Sequence, residues 1–488
     1  MSSYSLADFL EELGQAGELV RISPEVDPAL EIAAVTERVG LASGPALLFG
    51  TVRGHSIPVL ANLLGSEARI CRALGVDCLA DVAVRIAEMT RPGDPESWFE
   101  KLRAVPARAE LKRLAPRTVR SGICQQVVRL GGDVDLRQIP ALQSRPLERD
   151  RVATAAQIVS SAAGSPEKAI GRCDVCLVDR DRVALAWLPH DDHARLLAEY
   201  ARRREPMPLA VVLGGHPAAL LAAMAPLPPN ADRTAFAGLL RGKPLETVRC
   251  RTLDLEIDAD AEIVLEGTIG PEEPLYDSGP LGLPGGFYRA PHSAPVMRVA
   301  AVTHRANPIF PAMVPGYAGD EASAVAGVLH RWLLPLVRTQ IPELVDYDFP
   351  LAAASRYCGV VAIRKDYAGQ GRKLASALWG MASLMHVKLW VIVDDGVDVA
   401  DAASVWSAVS AHVAPERDVF VQQGPPDLLD PAAATAVIAS RMAIDATAKL
   451  PAESLRETPA RAGMSEEIGR LVSSRWSQYG LRQAPPRK

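Results

Sequence analysis

Hydrophobic and polar residues follow three successive patterns along the chain, and the first is mixed α/β. Residues 5–16 place apolar side chains three and four positions apart, with Ser5 as a candidate N-cap and Gly17 as a stop signal, which predicts a helix. Short apolar runs then alternate with two further helical patterns. The predicted strands are Leu19–Ile22, Ala46–Phe49 and Pro58–Asn62, and the predicted helices are Ala29–Val39 and Leu79–Met89. Residues 98–120 are interpreted as a helical and irregular linker.

From about Val127 the pattern changes to short β segments that are broken by Gly and Pro. The predicted strands are Val152–Ser160, Ile170–Val178, Val183–Leu188, Thr247–Leu255, Ala261–Ile269 and Val296–Thr303. A helix, a strand and a second helix interrupt them at His193–Arg204, Leu209–Leu213 and Pro217–Met224. Many short strands are typical of a barrel or sandwich with insertions. Because the strands come from both sides of the helical insert, we predict a split β-barrel.

Beyond Asp320 apolar strands again alternate with helical patterns, which predicts a doubly wound α/β sheet with covered faces. The predicted elements are the helices Ala322–Val337, Arg372–Met385 and Ala403–Ala411 and the strands Gly359–Ile363, Lys388–Val393 and Asp418–Val421. The tail Ser465–Tyr479 is amphipathic, with Ile468, Leu471, Val472 and Trp476 on one stripe. We predict that it packs across another domain or another subunit.

The predicted fold is therefore a multidomain α/β protein of three domains and one C-terminal helix, in line with the roughly three domains expected for 488 residues. Residues 1–120 form an N-terminal α/β domain with its linker. Residues 121–315 form the split β-barrel, and residues 316–462 form the C-terminal α/β domain. Residues 463–488 form the crossing helix.

Composition narrows the class of protein. The apolar fraction is 48%, and the net charge of −5 does not indicate a nucleic-acid partner. The basic segment Arg103–Arg120 alternates with apolar residues and is interpreted as a solvated surface. No apolar run approaches the roughly 18 residues of a membrane span, and the N-terminus lacks a secretory pattern. Seven cysteines, an odd number, favour reduced thiols and a cytoplasmic location.

Two cysteines have the spacing of a redox or zinc motif, at Cys173 and Cys176. No helix start follows them and there is no second pair. Positions three apart in a strand point to opposite faces. We therefore expect two structural thiols.

A glycine- and proline-rich segment follows the predicted strand Ala261–Ile269. Residues 270–288 contain five Gly and four Pro, which indicates a loop of fixed shape. Loops of this kind, leaving a buried strand, often carry chemistry. The segment is therefore a candidate active-site loop.

Several motifs of the chain, taken in order, resemble those of the UbiD family of reversible decarboxylases, and the similarity covers nearly the whole chain. The motifs are Ala153-Thr-Ala-Ala-Gln-Ile, Ile170-Gly-Arg172, Trp187-Leu-Pro-His190, Pro208-Leu-Ala-Val-Val-Leu-Gly-Gly-His-Pro217, Ala225-Pro-Leu-Pro228, Phe236-Ala-Gly-Leu-Leu-Arg-Gly-Lys-Pro244, the run Asp254–Gly267, Gly-Phe-Tyr288, Val391–Asp398 and Ala443–Leu450.

The resemblance implies a prenylated FMN bound in the middle barrel, supplied by a flavin prenyltransferase, and a C-terminal domain that forms a homodimer or larger homo-oligomer. In the family, the modified flavin takes up electrons from an aromatic or α,β-unsaturated acid as CO2 leaves, and a carboxylic acid delivers a proton. The cofactor performs the difficult chemistry while the protein orients it.

The resemblance also assigns residues to the cofactor. Arg172 matches the arginine that pairs with the substrate carboxylate, and a guanidinium fork suits a carboxylate independently of the family. A surface arginine at a strand end is the alternative. The positions implied to contact the flavin are Thr154, Ala169, Ile170, Gly171, Arg172, Pro189, His190, Ala223, Met224, Pro226, Arg233 and Arg441.

The implied metal site, for manganese or magnesium with potassium as a further candidate ion, departs from the family pattern. His190 matches a metal-ligating histidine, and a cap of the next helix is the alternative for His190–His193. Glu167 stands where the family has Asn, and glutamate still suits a hard cation. Arg233 stands where the family has a ligating Glu. Arginine cannot bind a cation but can pair directly with phosphate, and so can partly replace the metal. Arg441 falls where the family has a lysine near the phosphate.

The implied proton donors are the largest departure. Counting back from the end of the loop, the two family acids fall on Ser278 and Leu283, neither of which is a carboxylic acid. A shift of one residue would let Asp277 replace the first acid, since a buried Asp beside Arg172 can take either protonation state. A turn residue is the alternative for Asp277.

The main hypothesis is a prenylated-FMN decarboxylase of an aromatic, heteroaromatic or conjugated acid, with Asp277 or water as the proton donor. A second hypothesis keeps the flavin but not the decarboxylation. A third is a cofactor-poor homologue that serves as the structural subunit of a hetero-oligomer.

Overall fold

The computed structural model describes most of the chain. The described residues are 5–88, 112–165, 168–188, 191–227, 231–283, 286–290, 292–316, 320–350, 357–381, 383–424, 430, 432–433, 438–453, 462 and 464–479. Most of the predicted linker, including much of the basic segment Arg103–Arg120, lies outside them.

The strands are numbered in chain order. Those of the first two-thirds of the chain are β1 (Leu19–Val26), β2 (Ala46–Val52), β3 (Val59–Ala61), β4 (Arg117–Val119), β5 (Val127–Leu130), β6 (Arg151–Ser161), β7 (Lys168–Leu177), β8 (Arg182–Leu185), β9 (Met207–Leu213), β10 (Glu246–Arg249), β11 (Glu256–Asp258), β12 (Ile263–Ile269), β13 (Tyr276–Asp277), β14 (Leu281–Gly282), β15 (Tyr288–Arg289), β16 (Ser293–Ala294), β17 (Val296–His304) and β18 (Phe310–Ala312). Those of the last third are β19 (Leu344–Asp348), β20 (Cys358–Ile363), β21 (Leu389–Asp394), β22 (Val419–Gly424) and β23 (Ala439–Asp445).

The helices are numbered in the same way. They are α1 (Leu6–Gln15), α2 (Glu31–Leu41), α3 (Glu67–Leu74), α4 (Leu79–Glu88), α5 (Asp192–Arg203), α6 (Pro217–Met224), α7 (Arg233–Arg241), α8 (Glu321–Gln340), α9 (Gln370–Gly380), α10 (Ala402–His412), α11 (Pro415–Asp418) and α12 (Glu466–Arg475). None of these helices combines the length and apolar character needed to cross a membrane.

The first helix shows how local sequence determines an element. Ser5 and Asp8 form a capping box, in which each side chain binds the other's backbone N–H, and this satisfies the free donors at the helix start. The apolar positions of α1 are buried as predicted, with Phe9 and Leu13 fully inaccessible. The helix packs beside a four-stranded sheet of order β1-β2-β3-β18.

The centre of the molecule is a closed antiparallel barrel, which confirms the predicted split barrel. Its order is β12-β9-β6-β7-β8-β17, and pairing between β12 and β17 closes it. Strand β5 adds to β17 outside the closed ring. Side chains such as Ile158, Val175 and Val211 fill the interior, whereas Val159, Val212 and Val264 contribute to a second core on the outer face.

Helix α6 lies against that outer face and packs beside α7. The predicted bounds of α6 match the structure, whereas α7 and α3 were not predicted. The predicted strand Thr247–Leu255 is wrong in its second half. It ends at Arg249, and a turn leads into the antiparallel strand β11.

The C-terminal domain has the order β19-β20-β21-β23-β22. The three central strands are parallel, as predicted, while both edge strands are antiparallel. Residues of α8 and α9 pack on one face and residues of α10 on the other, so the sheet is covered on both sides.

Helix α8 is joined to the N-terminal domain through Glu321. Its Oε1 accepts a hydrogen bond of 2.6 Å from the backbone N–H of Leu64, and its side chain is buried close to Arg69. Burial raises the pKa of Glu321 from 4.5 to about 7, although nearby Arg69 opposes the change. The folded state therefore holds a proton that the unfolded state releases above pH 4.5.

This difference predicts a falling stability as pH rises from about 4.5 to 7. Glu321→Gln keeps the oxygen acceptor and removes the titration, so the variant is expected to gain on the order of 1–3 kcal/mol over the wild type between pH 5 and pH 8. Urea unfolding at several pH values measures this difference in the free energy of unfolding between variant and wild type. The exposed Glu467→Gln is the matched control. A difference for Glu321→Gln that stays the same at every pH would refute the raised pKa of Glu321.

Candidate functional site

Alternate residues of β7 present a charged pair on the outer face of the barrel. Cys173 and Val175 point into the barrel interior. Ile170 packs with the outer core, so the period of two places Arg172 and Asp174 on the same outer face. Cys176 continues that face beneath the glycine-rich loop. The two cysteines are buried on opposite faces, as expected for structural thiols.

The guanidinium of Arg172 is held in one orientation. Its Nε and Nη2 donate to the backbone oxygen of Thr154 at 2.9 and 2.6 Å, and Nη2 also donates to the carboxylate of Asp174. Nη1 has no hydrogen bond to the described residues. The side chain is half-buried, so the guanidinium is not closed off from solvent.

Thr154 connects Arg172 to the segment that follows β18. Its carbonyl accepts from Arg172, and its hydroxyl accepts a bond of 3.0 Å from the backbone N–H of Met313. A contact of Thr154 with a flavin stays a prediction. In the structure it positions Arg172.

His193 packs against the start of β7. Its Nε2 lies 3.3 Å from the oxygen of Ala169, and its ring stacks on Trp187. A Cβ on Gly171 would come within 3.2 Å of that ring, so a larger residue at this position would require the ring to shift by a few tenths of an ångström. Burial lowers the pKa of His193 to about 4, so the imidazole is neutral at pH 7. Asp191 is the N-cap residue of α5, but its carboxylate accepts from the backbone N–H of Leu188 and makes no capping bond to the helix, so the helix-cap alternative for His190–His193 stays untested.

The glycine-rich loop does not bring the predicted acids to Arg172. Asp277 is exposed and accepts a bond of 2.8 Å from Ser293, which does not fit a buried acid beside Arg172. Ser278 is buried, with its hydroxyl 2.9 Å from Nδ1 of His292. Leu283 is buried and its N–H donates to the oxygen of Phe287. These residues shape the loop.

Two acids that sequence reasoning missed hold this loop in place. Glu148 accepts hydrogen bonds from the backbone N–H groups of Ser144, Arg145 and Gly282. Burial raises its pKa, the three bonds lower it, and the charge of Asp174 raises it further. Asp150 accepts from the hydroxyl of Tyr276 at 2.6 Å and from the N–H of Gly279.

Asp174 is the acid that the structure places against Arg172, and sequence reasoning missed it. The signal was available, because residues two apart in a strand share a face. A second arginine, Arg289, completes the cluster. Its Nη1 donates to the oxygen of Ala186 at 2.9 Å. Burial lowers the pKa of Arg289, and the nearby charge of Asp174 raises it.

A small cavity of about 30 Å³, partly open to solvent, lies between the barrel's outer face and α7. Gln157 and Ile170 line it from the barrel, and Arg233 and Thr234 line it from the helix. Gln157 pairs with Arg172 in the β6–β7 ladder. The pocket therefore lies on the same face of the barrel as Arg172.

Arg233 is anchored at the end of α6. Its Nη1 donates to the oxygens of Ala222 and Ala225 at 2.9 and 2.5 Å. The predicted contact residues Ala223, Met224 and Pro226 belong to the same turn.

Of the remaining predicted residues, Arg441 is described and is not brought to this pocket. Arg441 lies in the C-terminal sheet, buried, with its guanidinium 6.0 Å from the ring centre of Trp379. Glu167, Pro189 and His190 lie outside the described residues. Within the described part of the chain, no group of three or more His, Cys, Asp or Glu side chains is arranged to hold a metal ion.

Comparison with known proteins identifies the family. Three family models match in order: the 3-octaprenyl-4-hydroxybenzoate carboxy-lyase N-terminal domain at residues 10–88, its Rift-related domain at 117–318 and its C-terminal domain at 323–446. An uncharacterized protein from Aquifex aeolicus is 36% identical over 479 residues, which are 98% of each chain.

Solved structures agree with this match. Vanillic acid decarboxylase from Sedimentibacter hydroxybenzoicus, in its closed form, is 25% identical with a TM-score of 0.85 and covers 97% of this chain and 99% of its own. The UbiD-class enzyme HmfF from Pelotomaculum thermopropionicum, in complex with FMN, is 28% identical with a TM-score of 0.76 and covers 94% of this chain and 98% of its own. The chain belongs to the UbiD family of 3-octaprenyl-4-hydroxybenzoate carboxy-lyases.

Proposed function

We propose that this protein is a prenylated-FMN-dependent decarboxylase of an aromatic, heteroaromatic or α,β-unsaturated carboxylic acid. The observation that carries the proposal is Arg172, whose guanidinium is fixed by Thr154 and Asp174 with Nη1 left for a ligand. A fixed guanidinium binds a carboxylate with charge-assisted hydrogen bonds. HmfF, a relative of the same class, has been solved with prenylated FMN.

The side chains on the barrel's outer face support the assignment of the flavin to this face. The pocket combines apolar and hydrogen-bonding side chains, with Ile170 and Gln157 on its barrel side and Arg233 on its helix side. Prenylated FMN, when bound, supplies the electron sink for the electrons released as CO2 leaves. Ile170 and Gln157 would face the ring system, and Arg233 would face the phosphate.

Asp174 would supply the proton. A substrate carboxylate on Arg172 would compete with Asp174 for one guanidinium, and two carboxylates at one cation favour a shared proton. Departure of CO2 would leave that proton beside the carbon that must receive it. Asp174 thereby takes the role that Ser278 and Leu283 cannot fill.

The test is co-expression with a flavin prenyltransferase, followed by assay on a panel of aromatic and conjugated acids. We expect CO2 release, or exchange of deuterium into the product carbon in D2O. A protein that carries the flavin but shows neither reaction would exclude decarboxylation and favour a different transformation on the same cofactor. A colourless protein under these conditions would favour the structural-subunit hypothesis.

We also propose that α12 joins two copies of this chain. Its side chains Ile468 and Leu471 are both exposed, which leaves an apolar stripe for a partner. The relative HmfF has been solved in an evolved dimeric form.

The double variant Ile468→Glu/Leu471→Glu is expected to reduce the mass of the particle in sedimentation, because two charges would be buried at the contact. Ser473→Glu, on an exposed position of the same helix, is the control and should leave the mass unchanged. Equal masses for the double variant and the wild type would exclude this contact.

A further inference from the structure

The guanidinium of Arg233 lies against backbone oxygens that favour a positive charge. It bridges the backbone oxygens of Ala222 and Ala225, and Met224 is the last residue of α6. Carbonyl oxygens at the end of a helix lack partners within the helix and carry partial negative charge. Arg233 supplies the positive charge there from its own side chain.

Arg233 stays charged at neutral pH. Burial lowers its pKa to about 10, and the charges of Asp192 and Asp191 oppose that change. His193, also nearby, is neutral at pH 7 because burial lowers its pKa to about 4. A divalent ion beside Arg233 would meet like charge instead of a ligand, so this position does not fit a metal.

The pocket beside Arg233 suits an anionic group. Two acids also line it, and both have partners: Glu256 pairs with Lys168 at 2.6 Å, and Asp258 accepts from the backbone N–H groups of Asp260 and His216. Arg233 is the arginine among the lining residues, and its other two nitrogens have no hydrogen bond to the described residues.

We propose that Arg233 serves as a built-in cation for the flavin phosphate, so that this protein binds FMN without a divalent metal. The inference rests on the proposed flavin-dependent function and deepens it. Arginine can pair with two phosphate oxygens at once, and its tether to Ala222 and Ala225 holds it in place before the ligand arrives.

The test measures binding of FMN and of riboflavin, which lacks the phosphate, by flavin fluorescence on the full-length apoprotein. For the wild type, the Kd for FMN should be the same in EDTA and in MnCl2. Arg233→Met should weaken FMN binding by about tenfold or more, the loss expected for a charged hydrogen bond. Riboflavin binding should be unchanged in the variant, which also shows that it is folded.

Arg202→Met is the matched control, since Arg202 is exposed and its Nε binds the oxygen of Ala198 on its own helix. It should bind both flavins as the wild type does. A wild-type affinity for FMN that rises at least about tenfold with manganese, or equal affinities of Arg233→Met and wild type, would overturn the inference and leave the proposed function standing. A wild type that binds neither flavin would instead overturn the proposed function.

Discussion

Replacing Arg172 with alanine is expected to lower kcat/KM for decarboxylation by at least about a hundredfold, because the substrate carboxylate loses both its charge partner and its alignment. Arg172 differs from a mobile surface arginine because its guanidinium is held by hydrogen bonds. Three hydrogen bonds, two to Thr154 and one to Asp174, fix its plane. The variant also leaves Asp174 without its ion pair to Arg172, with Arg289 as the remaining arginine of the cluster.

The measurement compares variant and wild type after both are loaded with flavin to the same absorbance. Equal loading separates a loss of chemistry from a loss of cofactor. Arg182→Ala on the next strand is the matched control, since Arg182 pairs with Asp179 at the surface and should keep full activity. If Arg172→Ala decarboxylates within about threefold of the wild type, substrate binding by Arg172 is excluded, since a charged contact contributes more than that.

The main elements of the fold were predictable because their causes are local. Helix α6 begins with Pro217 at its first turn, where proline has no N–H to lose. The barrel strands follow from apolar runs punctuated by Gly and Pro. Helix α7 was missed although its signals were present: Asp232 caps its start and Gly242 closes its end in the left-handed region.

The failure at Thr247–Leu255 has a tertiary cause. The carboxylate of Glu266 accepts hydrogen bonds from the backbone N–H groups of Arg251 and Thr252. These bonds stabilise the turn between β10 and β11. Glu266 lies in β12, more than ten residues along the chain. No local pattern in the segment predicts that contact.

The motif of a single residue can be recognised in the sequence, whereas a contact between several segments cannot. Arg172 was predicted from its motif, and its role in the reaction stays a prediction. Glu148, in contrast, holds the loop because the backbone of Gly282 approaches it closely: a Cβ at position 282 would come within 3.2 Å of Oε1 of Glu148. The contact between these two distant segments is made only by folding. The prediction of the proton donors therefore considered only the loop's own residues, Asp277, Ser278 and Leu283.

Replacing Asp174 with asparagine is expected to lower kcat by about 10²–10⁴-fold, the usual range for loss of a positioned proton donor. Asparagine preserves the size of the side chain and an oxygen that can accept from Arg172. Substrate binding should therefore persist, with KM unchanged or lower, because the negative charge that competes for Arg172 is gone. A structural role alone would instead raise KM or weaken folding.

Deuterium exchange isolates the proton step. Loaded wild-type protein should exchange deuterium from D2O into the decarboxylated product, and Asp174→Asn should lose this exchange in parallel with kcat. Asp174→Glu restores a carboxyl group and is expected to recover part of both. Asp179→Asn, in the surface pair with Arg182, is the control. Full exchange in Asp174→Asn would assign the proton to water, because the pair on β7 would then bind the carboxylate without delivering the proton.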